Sequence, residues 1–394
     1  MSNRPTSDID LFSSAAMADP YDLYAELRRT GGAVWLTRIG VWAVSRYADV
    51  MAVLQNHQAY PSSSGVSLNP DVNSMTGNMI TLTTDPPLHT KLRNLVAEQL
   101  MPAALKKLSE KIETEAEALV ERLVGLGQFD VVRDLSWYLP LTVVTNLVGV
   151  PLSYGKRLIE FAETMFDLAG PPGYPLTVAA QKRMPEFQQL MAQLTNPKNL
   201  RPGSMGMAIF EAADRGEIED WRAPQLMNDY LGPALDTTIA GTGNAIWLFA
   251  NNQGQWDALR HDPTRVGAAI DEALRLESPI QCLTRVANSD QCIDGTDIAA
   301  GDRLLVMYGS ANRDSAKWQS ADSMDINRSG LGGQLAFGAG IHSCAGRNLA
   351  KAEISALLRA LMKRVKAFRI IDAQRRKSNL MRAFTRLQVE AIPL

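Results

Sequence analysis

The chain has 394 residues, of which 46% are hydrophobic and 21% charged, with a formal net charge of −2 at pH 7. This composition is ordinary for a globular protein with a large buried core, and the charge gives no global case for nucleic-acid binding. No run of eighteen or more apolar residues predicts a membrane span, and the polar N-terminus lacks the apolar core of a signal peptide. We therefore expect a cytoplasmic protein that needs neither a membrane nor nucleic acid.

Cysteine and histidine are both scarce. The three cysteines are Cys282, Cys292 and Cys344, and there are four histidines in the whole chain. An odd, sparse set of cysteines favours a reducing compartment over a disulfide framework. So few histidines also argue against a multi-histidine metal centre.

The first sixty residues combine one helix with two strands. Residues 20–30 have the spacing of a short amphipathic helix. Two strand-like runs follow, Ala33–Thr37 and Val41–Ser45, with a turn between them. We therefore expect a β-rich N-terminal part over about 30–60.

The rest of the chain is predominantly helical. From about residue 90 to 276 the hydrophobic pattern is almost wholly helical, with proline and glycine clusters between helices. Past Ser278, short strands such as Arg303–Met307 alternate with turns, and a last helix is predicted from about Cys344 to Val365. We find no linker, so the sequence predicts one domain over 1–394, mainly α with small β-sheets.

A glycine-rich loop, FGAGIHSCAG, presents one cysteine just before the last helix. The glycines Gly338, Gly340 and Gly346 permit backbone conformations that are closed to other residues, and they allow close approach to a flat ligand. Backbone amides at a helix start also stabilise a thiolate. Cys282 and Cys292 lack this glycine setting, and we interpret both as packing cysteines.

The spacing in this loop resembles the haem-binding signature of cytochromes P-450, which has Phe, two residues, Gly, three residues, Cys, one residue and Gly. The matching positions are Phe337, Gly340, Cys344 and Gly346. The resemblance implies the cytochrome P-450 fold, a haem b cofactor (iron protoporphyrin IX) and Cys344 as the metal ligand. A thiolate ligand pushes electron density onto iron and favours O–O cleavage, which is the chemistry of a monooxygenase. A buried structural cysteine is the alternative.

The EALR segment places Glu272 and Arg275 three residues apart on one helical face. Such a spacing usually gives a solvated surface pair. Here ANRD (Ala311–Asp314) and the cysteine loop follow in the same order as in the family. The pair therefore resembles the buried Glu-x-x-Arg pair of the family, with a structural role.

Four residues resemble the positions that bind the haem propionates in the family. His89 and Arg93 lie four apart on a helix predicted to start near Pro87, and Arg285 and His342 match two further positions. Two propionates carry two negative charges, so several cationic donors are needed where the haem is buried. Each residue alone could equally lie on the surface.

The LGPALDTTIAG segment resembles the oxygen-binding part of the family's long central helix. Asp236 and Thr237 match its acid–alcohol pair, which relays protons to oxygen. The alternative is an Asp-Thr-Thr turn near a helix end. The segment departs from the family because Pro233 and Ala234 stand where Ala or Gly, then Gly, is usual. Pro233 frees the carbonyl of Asp229, so we expect a kink that opens the oxygen groove.

Segments outside these motifs resemble the bacterial branch that O-demethylates methoxy-substituted aromatic acids. The resemblance implies a small apolar substrate pocket suited to one aromatic ring. Its lining is expected to comprise Ser67, Leu68, Phe166, Ala169, Tyr230, Ala234, Ile280, Leu283 and Phe384.

This pocket differs from that branch in its polar groups. Ser64 and Asp229 stand where arginines would bind a carboxylate, and Tyr230 replaces a serine. Because Asp229 would repel a carboxylate, we expect a neutral methoxylated aromatic or phenol, hydrogen-bonded by Asp229 or Tyr230. A terpenoid or fatty-acid hydroxylase is the second possibility.

The chain is too short for a haem domain with a fused reductase, so the resemblance implies electrons from a ferredoxin and its NAD(P)H-dependent reductase. We expect basic residues on the thiolate side to steer an acidic ferredoxin, and a monomer otherwise. Those residues are Lys91, Arg93, Lys106, Lys107, Arg347 and Lys351. A peroxide-driven peroxygenase is disfavoured by the intact Asp236–Thr237 pair. A non-catalytic haem-binding sensor would need neither proton relay nor pocket.

Overall fold

The computed structural model describes residues 4–394, apart from the side chains of residues 98, 99, 102–105 and 107. Helices dominate this part of the chain. The longest, α11, has 30 residues and so extends about 45 Å. The α-helices are α1 (Ser14–Ala18), α2 (Tyr21–Thr30), α3 (Tyr47–Gln55), α4 (Pro70–Thr76), α5 (Leu88–Leu100), α6 (Pro102–Leu126), α7 (Tyr138–Val148), α8 (Gly155–Leu168), α9 (Pro175–Leu194), α10 (Met205–Asp214), α11 (Arg222–Asn251), α12 (Gln253–His261), α13 (Val266–Leu276), α14 (Tyr308–Ala311) and α15 (Arg347–Met362).

The strands of the described residues form three small sheets. One has the order β1-β2-β3-β8-β5, a second the order β4-β10-β9, and β6 pairs with β7. The strands are β1 (Thr6–Ser7), β2 (Ala33–Leu36), β3 (Val41–Val44), β4 (Gln128–Asp130), β5 (Leu283–Val286), β6 (Gln291–Ile293), β7 (Thr296–Ile298), β8 (Arg303–Val306), β9 (Val365–Arg375) and β10 (Phe384–Pro393). The expected mainly α class with small sheets is confirmed.

The β2–β3 hairpin confirms the two strands predicted near the N-terminus. Ala33 pairs with Val44 and Leu36 with Val41, in antiparallel register. The connecting turn ends at Gly40, whose φ of 65° suits a residue without a side chain. Every residue of β3 is buried because the sheet packs between two apolar clusters.

Helix α11 forms the centre of the helical body. It packs against α7, α8, α10, α13 and α15, and nineteen of its residues are buried. A helix buried around most of its circumference is typical of a large core rather than of a surface. This position brings the Asp236–Thr237 segment to the middle of the molecule. Across residues 4–394, no helix has the length and apolar character needed to span a membrane.

The structure corrects the sequence expectations at three places. The body expected to be almost wholly helical also contains the short strand β4. The last helix begins at Arg347 rather than Cys344 and ends at Met362, because Val365 starts a strand. The hairpin of β9 and β10 was missed, and its strand β10 pairs with β4, which lies much earlier in the chain. The single-domain expectation stays a prediction.

Candidate active site

The cysteine loop closes on itself directly before α15. The Cys344 N–H donates to the carbonyl oxygen of Phe337 at 2.8 Å. Gly340 has a φ of 70°, and a side chain there would place its Cβ 2.3 Å from the carbonyl oxygen of Leu54. Gly338 also lies in the left-handed region, with a φ of 64°. These two glycines therefore let the loop turn tightly against α3.

Gly346 corrects part of the sequence interpretation. Its φ is −83°, which any residue adopts. A Cβ at this position would lie 3.9 Å from the Sγ of Cys344, an ordinary contact distance. The expectation that Gly346 needs glycine's conformational freedom was wrong. A small residue is favoured here because the position lies next to the Cys344 thiol.

The Cys344 thiol faces an internal space. Burial raises the pKa of this thiol, while the backbone N–H groups of Gly346 and Arg347 and the charge of Arg93 lower it. Yet the residue is open to a molecule the size of water. Cys344 is surrounded by protein atoms and still accessible to a water-sized molecule, as expected for a side chain that lines an interior void. Cys282 differs, because it is packed in the core and burial raises its pKa to about 12.

The four predicted propionate-binding residues surround the same space. The rings of His89 and His342 are 4.4 Å apart, and Arg93 donates to the carbonyl of Ser343, the residue before Cys344. Arg285 is 4% exposed, and its charge contributes to the lowered pKa of His342. The structure therefore brings together His89 and His342, which are more than 250 positions apart in the chain.

Both histidines have a buried Nε2 without a hydrogen-bond partner in the described part of the chain. Burial and the nearby charges of His342 and Arg93 lower the pKa of His89 to about 4, and burial lowers that of His342. Unsatisfied buried donors are rare in native proteins and usually indicate a missing partner. Two histidines and two arginines around one void fit an anionic group such as a haem with its two propionates.

Asp85 is a residue of this cluster that the sequence interpretation missed. Its two carboxylate oxygens accept the N–H groups of Ser62 and Ser63, at 3.0 and 2.9 Å. One oxygen lies 3.8 Å from the Nε2 of His342. These bonds hold the pKa of Asp85 well below its usual range, although burial acts in the opposite direction. The signal was the position of Asp85 in DPPLHTKLR, four residues before His89.

Glu272 and Arg275 form a buried ion pair, as predicted, rather than a surface pair. Both side chains are 0% exposed and meet through two hydrogen bonds of 2.7 and 2.9 Å. Arg275 also donates to the carbonyls of Asn312 and Ala321, at 2.7 and 2.6 Å. The pair thereby attaches the long segment that leads to the cysteine loop to helix α13.

Helix α11 continues through Pro233 and carries Asp236 and Thr237 on different faces. Pro233 is exposed and Thr237 half-buried, although both lie in the middle of a buried helix, so they face an internal space. The Thr237 hydroxyl donates to the carbonyl of Pro233 at 2.7 Å. Asp236 is 1% exposed and binds Arg376, which the sequence interpretation did not identify.

Most of the predicted substrate-pocket residues come together. Leu68, Phe166, Ala169 and Leu283 belong to one apolar cluster, while Tyr230 and Ala234 pack against the cluster around α11. The Ser67 hydroxyl and the Leu68 N–H both donate to the Ala169 carbonyl, at 2.9 and 3.0 Å. The hydroxyl of Ser67 thus fixes the pocket wall.

Phe384 is misplaced in the predicted pocket. It is 5% exposed and packs against Trp247 and under Arg375, 3.7 Å from its guanidinium carbon. Gly243 and Trp247, the residues of α11 next to Phe384, lie about 14 and 20 Å along the helix from Ala234, so Phe384 lies beyond the predicted pocket. Met381 is the better candidate from this hairpin, because it bridges to Ile280 and clusters with Phe166.

Asp229 caps a short turn near the pocket. Its carboxylate accepts the N–H of Thr81 at 3.0 Å, at the start of the 3₁₀ turn Thr81–Thr83. Burial raises the pKa of Asp229 to about 6, partly offset by bonds from Thr81 and Leu82. Burial also raises the pKa of Tyr230 well above its ordinary value. Asp229 therefore joins α11 to the segment that precedes α5.

The basic residues expected on the thiolate side have different surroundings. Lys351 forms an ion pair with Asp271 at 2.7 Å, and Arg93 points inward. Lys91 acts electrostatically on Glu217 and Glu219. Arg347 lies over the Phe337 ring, Lys106 is exposed, and the side chain of Lys107 lies outside the described residues.

Comparison with known proteins decides the family. A family model for cytochrome P450 matches residues 251–388. The chain is also 34% identical to cytochrome P450 CYP199A2 of Rhodopseudomonas palustris, over 99% of this chain and 95% of that protein. The chain belongs to the cytochrome P450 family. The expected haem b cofactor and monooxygenase activity are thereby confirmed.

Two further cytochromes P450 extend this result. Linalool 8-monooxygenase of Pseudomonas putida is 28% identical, over 95% of this chain and 96% of that protein. The crystal structure of CYP109E1 from Bacillus megaterium in complex with testosterone superposes with a TM-score of 0.86. Its sequence identity is 23%, over 96% of this chain and 99% of that chain, so it supports the P450 fold alone.

The buried ion pair gives a first prediction. The variant Arg275→Met leaves Glu272 buried with Arg328 as its remaining ionic partner. This loss should lower the free energy of unfolding by about 3–5 kcal/mol. The denaturation midpoint in urea measures the loss. Arg265→Met is the matched control, since Arg265 pairs with Asp262 at the same spacing but on the surface. Equal midpoints for the two variants would contradict the assigned role.

The loop glycines give a second prediction. Gly340→Ala should prevent haem incorporation, because its Cβ would collide with the Leu54 carbonyl at a left-handed φ. Gly346→Ala should keep the haem, since its φ is ordinary. The haem content per polypeptide, from the Soret absorbance, and the far-ultraviolet circular dichroism of both variants test this. Normal haem content in Gly340→Ala would refute the steric argument.

Proposed function

We propose that this cytochrome P450 monooxygenase O-demethylates or hydroxylates small neutral methoxy-aromatic or phenolic compounds. The observation that carries the proposal is the half-buried carboxylate of Asp229, next to Tyr230 and an otherwise apolar pocket wall. Above about pH 6 this carboxylate is ionised, and a like charge disfavours a substrate carboxylate nearby. A phenolic hydroxyl, in contrast, can donate to Asp229.

In this proposal some residues of the chain bind the haem and others supply protons. Haem activates dioxygen for insertion into a C–H bond when it is bound, and a thiolate ligand favours that chemistry. Cys344 is the proposed ligand, and His89, Arg93, Arg285 and His342 are the proposed donors to the propionates. Asp236 and Thr237 supply protons, because Thr237 faces the internal space while Asp236 lies behind it. Glu272 and Arg275 are structural.

The proposed electron donor is a separate ferredoxin, reduced by its NAD(P)H-dependent reductase. Lys91 and Lys106 are exposed and available for an acidic partner, whereas Arg347 is half-buried over the Phe337 ring and Lys351 is neutralised by Asp271. Exposed charges of this kind increase the association rate more than the affinity. The proposal therefore predicts a docking surface with few fixed ion pairs.

Terpenoid hydroxylation is the second candidate. The similarity to linalool 8-monooxygenase supports it, as does the apolar character of the pocket cluster around Leu68 and Phe166. A terpene alcohol is neutral and also carries one hydroxyl, so the pocket electrostatics alone do not separate the two substrate classes.

Binding and turnover with a matched pair of ligands test the substrate class. At about pH 8 we expect 4-methoxyphenol to shift the haem iron to high spin and to yield formaldehyde with NADH, ferredoxin and reductase. The matched 4-methoxybenzoate should bind at least about tenfold more weakly, because Asp229 is ionised. Since the pKa of Asp229 is raised to about 6, this discrimination should weaken as the pH falls through 6.

Asp229→Asn provides the control, because it should remove the discrimination and its pH dependence while keeping the side-chain volume. Benzoate binding tighter than phenol binding in the unmodified protein would overturn the proposal. A spin shift with linalool but with neither aromatic ligand would favour the terpenoid class.

Pro233 provides a separate prediction for the oxygen groove. Proline cannot donate an N–H to the carbonyl of Asp229, and the Thr237 hydroxyl donates to a different carbonyl, that of Pro233. Pro233→Ala should restore the helical hydrogen bond, narrow the groove and increase the share of oxygen lost as peroxide. Oxygen consumption, peroxide and product are measured together. If all three stay unchanged, the proline does not open the groove.

A further inference from the structure

Asp236 is bound by one arginine that also binds a second carboxylate. Arg376 donates through Nη1 to Oδ1 of Asp236 at 2.7 Å and through Nη2 to Oδ2 at 2.6 Å. The same Nη1 donates to Oε1 of Glu163 at 2.8 Å. The two carboxylates therefore share one nitrogen atom, so they are close neighbours.

The two carboxylates differ in their access to water. The side chain of Asp236 is 1% exposed, whereas that of Glu163 is 34% exposed, and Arg376 lies between them at 10%. Glu163 can therefore exchange protons with solvent, and Asp236 cannot do so directly. Thr237, the next residue after Asp236, faces the internal space at the opposite end of this arrangement.

The local charge favours a proton on the outer carboxylate. Three carboxylates, Glu163, Asp236 and Asp167, surround the single guanidinium of Arg376. Burial raises the pKa of Glu163, and the charges of Asp236 and Asp167 raise it further, while Arg376 lowers it. Burial likewise raises the pKa of Asp167. Glu163 is thus a carboxylate that lies between solvent and Asp236 and whose surroundings favour its protonated form.

This arrangement also joins a helix to the C-terminal hairpin. Glu163 and Asp167 are one turn apart on α8, and Asp167 accepts hydrogen bonds from Ser378 Oγ at 2.7 Å and from the Asn379 N–H at 3.2 Å. Arg376 belongs to the same turn between β9 and β10. Movement of α8 relative to the hairpin therefore changes how Arg376 holds Asp236.

We propose that Glu163 is the entry point for protons to Asp236, and that Arg376 is a positioning residue that controls their passage. This inference rests on the proposed relay role of Asp236. While Arg376 binds both oxygens of Asp236, the carboxylate cannot turn towards Thr237. When Arg376 releases one oxygen, protonated Glu163 transfers its proton to Asp236, which passes it to the Thr237 hydroxyl. Glu163 is then reprotonated from water.

The test compares Glu163→Gln with Glu160→Gln. Glu160 lies one turn earlier on α8 and forms ion pairs with Arg157 and Lys156, away from Arg376. Oxygen consumption with NADH, a ferredoxin and its reductase is measured in H2O and D2O across a pH series, with and without 4-methoxyphenol. Glu163→Gln should lower the rate about tenfold and enlarge the solvent isotope effect, since a positioned proton donor contributes about 10²–10⁴-fold.

A second variant tests the control step. Arg376→Lys keeps the charge but removes the two-point contact, so oxygen consumption without substrate should rise about threefold, because the Asp236 side chain is held less firmly. Infrared difference spectra during a pH titration give a readout independent of turnover. A protonated carboxyl band should appear as the pH falls, shift in Arg376→Lys and be absent in Glu163→Gln.

The outcomes are distinguishable. If Glu163→Gln and Glu160→Gln give the same isotope effect and pH profile, the entry role of Glu163 is overturned. The variant Asp236→Asn distinguishes a wrong entry role of Glu163 from a wrong relay role of Asp236. An unaffected Asp236→Asn would refute the proposed relay, whereas an impaired Asp236→Asn with a normal Glu163→Gln would refute only the entry route.

Discussion

The buried ion pair of Arg275 with Glu272 is the interaction on which the rest of the structure depends. Isolated buried charges are costly, and a pair is tolerated where further hydrogen bonds satisfy both groups. Arg275 meets this condition by binding the carbonyls of Asn312 and Ala321, and Asn312 in turn accepts the N–H of Leu335. Leu335 is two residues before the cysteine loop. The ion pair on α13 therefore determines where Cys344 lies relative to α11.

The need of buried charges for partners also distinguishes the two sides of the internal space that would hold the haem. On the thiolate side, the cations Arg93 and Arg285 outnumber the carboxylate of Asp85, while burial lowers the pKa of His89 and of His342, so both histidines are neutral donors. On the substrate side, the half-buried carboxylate of Asp229 accepts hydrogen bonds from the Thr81 turn, and the charge of Arg93 also acts on it. The surplus of cations suits an anionic cofactor. In the proposed function, the charge of Asp229 disfavours an anionic substrate.

Sequence reasoning succeeded where the information is local. The spacing of Phe337, Gly340 and Cys344 lies within one loop, and the Glu272–Arg275 spacing lies within one turn of helix. It failed for Arg376 and Met381, because their partners on α11 and at Ile280 are distant in the chain and adjacent only after the hairpin pairs. Phe384 was misplaced for the same reason. The sequence around Phe384 does not indicate that this ring packs against Trp247.

The central claim is that Cys344, and neither other cysteine, provides the thiolate at the haem. The carbon monoxide difference spectrum of the reduced protein tests it most directly, in Cys344→Ser, Cys282→Ser and Cys292→Ser. The account predicts that Cys344→Ser alone loses the thiolate-specific band while keeping its helical circular dichroism. Retention of that band in Cys344→Ser, or its loss in Cys292→Ser, whose side chain is exposed, would contradict the account.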